Sequence, residues 1–177
     1  MITLKLTPSL LRIQLYAILI ITLLINPALG QDYQIDTKYT IAVMGIDVQG
    51  LDISKTTLRN MVHLEVEKAN KFSVLDKYDI EDVLNKQLIE LDGCYGKTCL
   101  VNIGKLLKVE KILTGNVDLI GDKIVMSFRY IDVTAEIIEE TSVEEFMDIP
   151  EELDKMVRIT LNNLFDIKND ENLVNLL

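Results

Sequence analysis

The stretch Lys111–Val133, KILTGNVDLIGDKIVMSFRYIDV, decides the fold. Apolar and polar residues alternate with a period of two on both sides of Gly121-Asp122, a dipeptide suited to a two-residue hairpin turn. Lys111–Leu119 and Lys123–Val133 therefore read as paired strands, and Ile124, Met126, Phe128 and Tyr130 share one face of the second. Thr134-Ala135-Glu136 makes another turn. Ile137–Phe146 then returns as a third strand, more polar than the others and so placed at a sheet edge.

Upstream, Lys38–Val48 (KYTIAVMGIDV) is rich in β-branched and apolar residues and reads as a buried strand. Ser54 can cap a helix whose apolar face is Leu58, Met61, Val62, Val66 and Ala69. Phe72–Leu75 is a short second strand. Asp79 is the expected cap of a second helix, with a stripe of Ile80, Val83, Leu84, Leu88 and Leu91. A loop over 92–99 leads to a third helix from about Leu100 to Leu107, opened by Thr98 or Cys99. Downstream, Pro150 begins a last helix, with Glu151 and Glu152 where the helix dipole favours acids. Its stripe is Leu153, Met156, Val157, Thr160, Leu161, Leu164 and Phe165. The predicted order β-α-β-α-α-β-β-β-α specifies an α/β (α+β) fold: a single mixed β-sheet with helices packed on it.

The ends carry different information. Residues 1–30 hold Lys5 and Arg12, no acid, an apolar run from Leu15 to Ile25, then Pro27 and Ala28-Leu29-Gly30. This is the pattern of a secretory signal peptide cut before Gln31, with an uncleaved membrane anchor as the competing reading. No Cys stands at that cut to take a lipid. The expected organisation is a signal peptide over 1–30, a linker over 31–37, one domain over 38–168 and a tail over 169–177. Removing two of 18 basic residues leaves 16 against 28 acids, so the charge moves from −10 to −12. So acidic a domain repels phosphate backbones, and nucleic acid is not an expected partner.

Chemical motifs are sparse. Gly96-Lys97-Thr98 resembles the end of a phosphate-binding loop, but the first glycine of that motif would fall on Leu91. His63 is the one histidine, expected on a helix surface, so neither a metal site nor a catalytic triad is predicted. Glu139-Glu140 and Glu144-Glu145 read as a solvated face. Cys94 and Cys99, the two cysteines of an exported chain, are expected to form a structural disulfide. Cys-x4-Cys is not the Cys-x-x-Cys spacing of a redox-active pair. Closing so small a loop is worth roughly 2 kcal/mol in the chain-entropy model.

Three stretches carry a family resemblance: Ile41–Asp47 with Phe72–Asp76, Gly93–Cys99 with Ile103–Leu107, and Lys111–Val117 with Tyr130–Val133. Together they resemble the periplasmic domain of the curli assembly/transport (CsgG-like) family and the related amino-terminal domain of TolB, over about residues 38–146. Gly104 and Gly115 fall within these stretches, where a missing side chain permits close packing. The chain departs from the family in lacking the lipid-attachment Cys and the room for membrane hairpins.

The resemblance implies a non-enzymatic binding or assembly module in the periplasm, or at the outer-membrane periphery, of a Gram-negative bacterium. It would bind an envelope protein or itself, without cofactor and without stable membrane insertion. The expected partner surface is the edge strand bearing Ile137, Val143 and Phe146. The alternative is a small-ligand binder or envelope hydrolase using acidic residues near the Cys94–Cys99 loop.

Overall fold

The hairpin read at Gly121-Asp122 is the spine of the observed sheet. In the computed structural model, which describes residues 38–89 and 93–174, β3 (Lys111–Ile120) pairs antiparallel with β4 (Lys123–Asp132), and Ile120 faces Lys123 across the turn. β4 pairs in turn with β5 (Ile137–Met147). On the other side β3 lies parallel to β1 (Thr40–Gln49), which pairs parallel with the two-residue β2 (Ser73–Val74). The sheet order is β2-β1-β3-β4-β5, which makes β5 an edge. Between the strands run α1 (Lys55–Ala69), α2 (Lys77–Lys86) and α3 (Lys97–Leu107). A 3-10 turn (Pro150–Glu152), α4 (Leu153–Leu164) and the short α5 (Glu171–Val174) complete the described chain. The segments expected as signal peptide and linker, Leu91 and Asp92, and the last three residues lie outside the described residues.

Period-two strands that are apolar on both faces need cover on both sides. One face of the sheet presents Ile41, Val43, Ile46, Leu113, Val117, Met126 and Phe128 to α1 and α4. Phe72, Tyr130 and Phe165 meet edge-on or tilted there, with ring centroids 5.1 to 6.1 Å apart. Phe128 and Phe165 are fully buried, each worth about 1.5–3 kcal/mol of transfer free energy. All seven residues of the expected α4 stripe are buried. The opposite face presents Ala42, Met44, Ile112 and Ile131 to α2 and α3.

β1 departs from strict alternation. Val43 pairs with Leu113 and Ile46 with Gly115, so Met44 and Gly45 together oppose Thr114 in a β-bulge. The extra residue keeps Ile46 on the same face as Val43. The Thr114 hydroxyl donates to the Gly45 carbonyl at 2.7 Å.

Several local expectations are corrected. Asp76, not Asp79, caps α2: its backbone is extended and its carboxylate accepts the Tyr78 N–H at 2.7 Å, so the helix starts directly after β2. Leu88 leaves the α2 stripe because φ +53° ends the helix there and turns its side chain out to 92% exposure. α3 opens at Gly96 with no side-chain cap, and Thr98 and Cys99 lie inside it. His63 is buried rather than on the helix surface, its Nε2 lying 3.2 Å from the Leu75 carbonyl oxygen.

Two charged groups lie under the surface. Glu65 is buried and accepts from Arg158 Nε at 2.8 Å and from Lys68 Nζ at 2.7 Å. Burial pushes its pKa up, but these partners outweigh that and hold it below the ordinary value of 4.5. Lys111 is buried between Asp132, 2.8 Å away, and Glu139, with its ammonium 4.9 Å from the Tyr39 ring centre. Burial lowers its pKa, and the two carboxylates more than restore it.

A Cβ on Gly104 would lie 2.5 Å from a Val133 methyl and 3.0 Å from Ile112 Cδ1. On Gly115 it would press into the Ser127 carbonyl oxygen, which belongs to the paired strand and cannot rotate away. We expect Gly104→Ala to cost about 1–3 kcal/mol in urea unfolding and Gly115→Ala to cost more; equal costs would contradict this contrast. A depressed carboxylate pKa stabilises the fold above the unfolded-state pKa and is lost as pH falls through the folded one. Thermal midpoints followed from roughly pH 7 to pH 3 should therefore fall less steeply in Glu65→Gln than in the native chain; identical acid limbs would refute the assignment.

Candidate functional site

Two features of the sheet remain without helical cover, the outer edge of β5 and the polar end of one face. The edge follows from the register. Asp148 N–H donates to the Asp122 carbonyl at 3.2 Å, which fixes Asp148 as pointing toward β4. By alternation Phe146, Glu144 and Ser142 also turn their backbone groups inward, while Thr141, Val143 and Glu145 direct theirs away from the sheet. Ile137, Ile138, Val143 and Met147 are exposed apolar residues along this strand. Phe146 differs from Ile137 and Val143: its side chain is buried in the core, so it anchors the edge and is not presented by it. The glutamates are mostly exposed, yet three hold partners: Glu139 with Lys111, Glu144 with Asn163 at 2.7 Å, and Glu145 with Lys123 at 2.7 Å.

The second feature is a bay of about 240 Å³ lined by Asp47, Gln49, Tyr95, Thr114, Gly115, Asn116, Ser127 and Arg129. α2 and α3 cover this face only over its first rungs. Beyond them the strand residues become polar, with Asp47 beside Asn116, and Asn116 beside Ser127. The loop before α3 forms one wall. Cys94 and Cys99 are disulfide-bonded, with Cα atoms 5.7 Å apart, and Tyr95 lies within that closed loop. The Tyr95 ring approaches Gly45 so closely that a Cβ there would sit 3.1 Å from it. Its carbonyl accepts from Arg129 Nη2 at 2.8 Å, and its hydroxyl accepts from Lys55 Nζ at 3.1 Å. Lys55 also pairs with Asp47 at 2.7 Å. That bond lowers the Asp47 pKa and raises that of Lys55, so both are charged at neutral pH.

The other residues singled out from the sequence serve structure. Lys97, of the loop-like Gly96-Lys97-Thr98, donates to the Glu136 carbonyl at 2.7 Å. Gly104 and Gly115 sit at close approaches inside the domain. No group of His, Cys, Asp and Glu among the described residues could hold a metal ion. Among the same residues, no helix is long and apolar enough to cross a membrane. Asp47, Tyr95 and Arg129 went unread in the sequence because they lie far apart in it, and the β1–β3–β4 register and the disulfide-closed loop together assemble them.

No family model matches the chain, and no curated protein matches it. Among solved structures it is similar to the LpoB C-terminal domain from Salmonella enterica, at 7% identity and TM-score 0.55 over 66% of this chain and 87% of that one. The LpoB C-terminal domain from Escherichia coli is comparable, at 9% identity and TM-score 0.54 over 68% and 90%. Lipoprotein GNA1162 from Neisseria meningitidis is similar at 10% identity and TM-score 0.54 over 72% and 97%. The curli-family resemblance thus has no matching family model behind it, and what the chain shares with LpoB domains and a neisserial lipoprotein is their fold.

Proposed function

We propose that this chain is a non-enzymatic binding or assembly module of the bacterial cell envelope that docks a protein partner along β5. The observation that carries the reading is the edge itself. It is an eleven-residue outer strand whose outward N–H and C=O groups at Thr141, Val143 and Glu145 flank exposed Val143 and Met147. An extended segment added there gains main-chain hydrogen bonds, and alternate side chains supply selectivity. The signal-peptide pattern of residues 1–30 supports the envelope address, as does a fold shared with a protein described as a lipoprotein. The bay favours a small-ligand site as a second, compatible reading. It does not favour a hydrolase: among its lining residues the one carboxylate, Asp47, is held by Lys55.

Val143→Pro tests the docking edge. Its N–H points away from β4, so proline removes an outward donor without breaking the ladder. Crosslinked capture from envelope extract should lose the partner with Val143→Pro and keep it with Leu88→Ser, an exposed control remote in sequence. Circular dichroism should be unchanged in both. A folded Val143→Pro variant that captures the same partner in equal amount would overturn edge docking.

A further inference from the structure

The bay carries an inference beyond edge docking. Among the described residues, Arg129 Nε is one of two buried side-chain atoms that lack a hydrogen-bond partner. A buried donor left unpaired costs about 1–3 kcal/mol, so its occurrence beside a cavity is informative. The guanidinium is not adrift, because Nη2 is fixed by the Tyr95 carbonyl at 2.8 Å. The side-on edge formed by Nε and Nη2 is the one that Arg158 turns on Glu65, at 2.8 and 3.4 Å. Arg129 presents this edge with a neutral carbonyl on one nitrogen and nothing on the other. Nε–H can only donate, so what it lacks is an acceptor, and a carboxylate oxygen matches the fork best.

The far side of the bay has the opposite character. Thr114 pairs with Arg129, and Asn116, two residues along β3, pairs with Asp47. Two residues of strand span about 7 Å. At that distance the anionic Asp47 carboxylate and the Asn116 and Gln49 amides offer acceptors to a donor. Lys55 neutralises Asp47 from outside and also holds the Tyr95 hydroxyl, so it ties the wall together without filling the bay. A volume of about 240 Å³ holds roughly eight waters, or a molecule of amino-acid size.

We propose that the bay binds a small carboxylate that also carries a hydrogen-bond donor, an amino-acid-like molecule, with its carboxylate on Arg129 and its ammonium or hydroxyl group toward Asp47. The disulfide-closed loop sets the Tyr95 wall in place before the ligand arrives, which spares the ordering cost of binding.

The test uses the full chain labelled with nitrogen-15, following the Arg129 Nε–H resonance, which Arg129→Lys assigns by its loss. Glycine, acetate, methylammonium chloride and sodium chloride are added separately at matched ionic strength. Glycine and acetate should shift the resonance, glycine at roughly tenfold lower concentration, while the two chloride salts leave it in place. Ser127→Leu, on the bay floor, fills the space while keeping the Arg129 guanidinium and should weaken glycine binding roughly tenfold or more. A resonance unmoved by both carboxylates, or moved equally by sodium chloride, overturns the site. Equal affinity for glycine and acetate overturns the donor half of the assignment. Neither result depends on β5, where docking stands or fails by itself.

Discussion

One extra residue in β1 sets the layout of everything around it. Met44 and Gly45 together oppose Thr114, so the strand changes phase halfway along. Before the bulge, Ile41 and Val43 face one helical layer while Ala42 and Met44 face the other. After it, Ile46 and Val48 stay with the first layer, and Asp47 and Gln49 emerge on the second face where no helix lies. Without the bulge Ile46 would turn toward the bay and Asp47 into the core, where an unpaired carboxylate is costly. Thr114 accommodates the irregularity by donating to the Gly45 carbonyl, and Gly45 leaves room for the Tyr95 ring. The bulge thus joins the core to the bay.

Charge is organised with similar economy. The chain is acidic overall, yet its buried acid and buried lysine each face two opposite partners: Glu65 between Lys68 and Arg158, Lys111 between Asp132 and Glu139. Exposed pairs such as Lys86–Asp82 contribute little by comparison. Arg129 stands apart because its charge is directed by a backbone carbonyl rather than offset by a carboxylate.

Local chemistry was legible in the sequence, and long-range assembly was not. The Gly121-Asp122 turn fixed the β3–β4 hairpin because turn length and alternation there admit one register. The α4 stripe was readable because its positions recur at three- and four-residue spacing and all of them are buried. Asp79 was the wrong cap because Asp76 and Asp79 offer the same carboxylate, and only the end of β2 chooses between them. His63 looked like a surface residue because burial of a polar group depends on partners that periodicity does not reveal. The β1 bulge left no mark beyond Gly45. The bay, built from segments around positions 47, 95, 115 and 129, has no local signature.

The register of β1 also orders events in time. Thr40 and Glu110, joined by backbone and side-chain hydrogen bonds, are 70 positions apart, whereas β3, β4 and β5 are joined by short turns. The meander can form from near neighbours, but β1 must wait for a partner synthesised much later, at the entropic cost of closing a long loop. A chain that emerges amino terminus first therefore delivers β1 with only the two-residue β2 to pair against. Until Lys111 and the residues after it emerge, that strand is a substrate for holding factors or for the wrong neighbour. The vulnerable interval ends when β3 arrives.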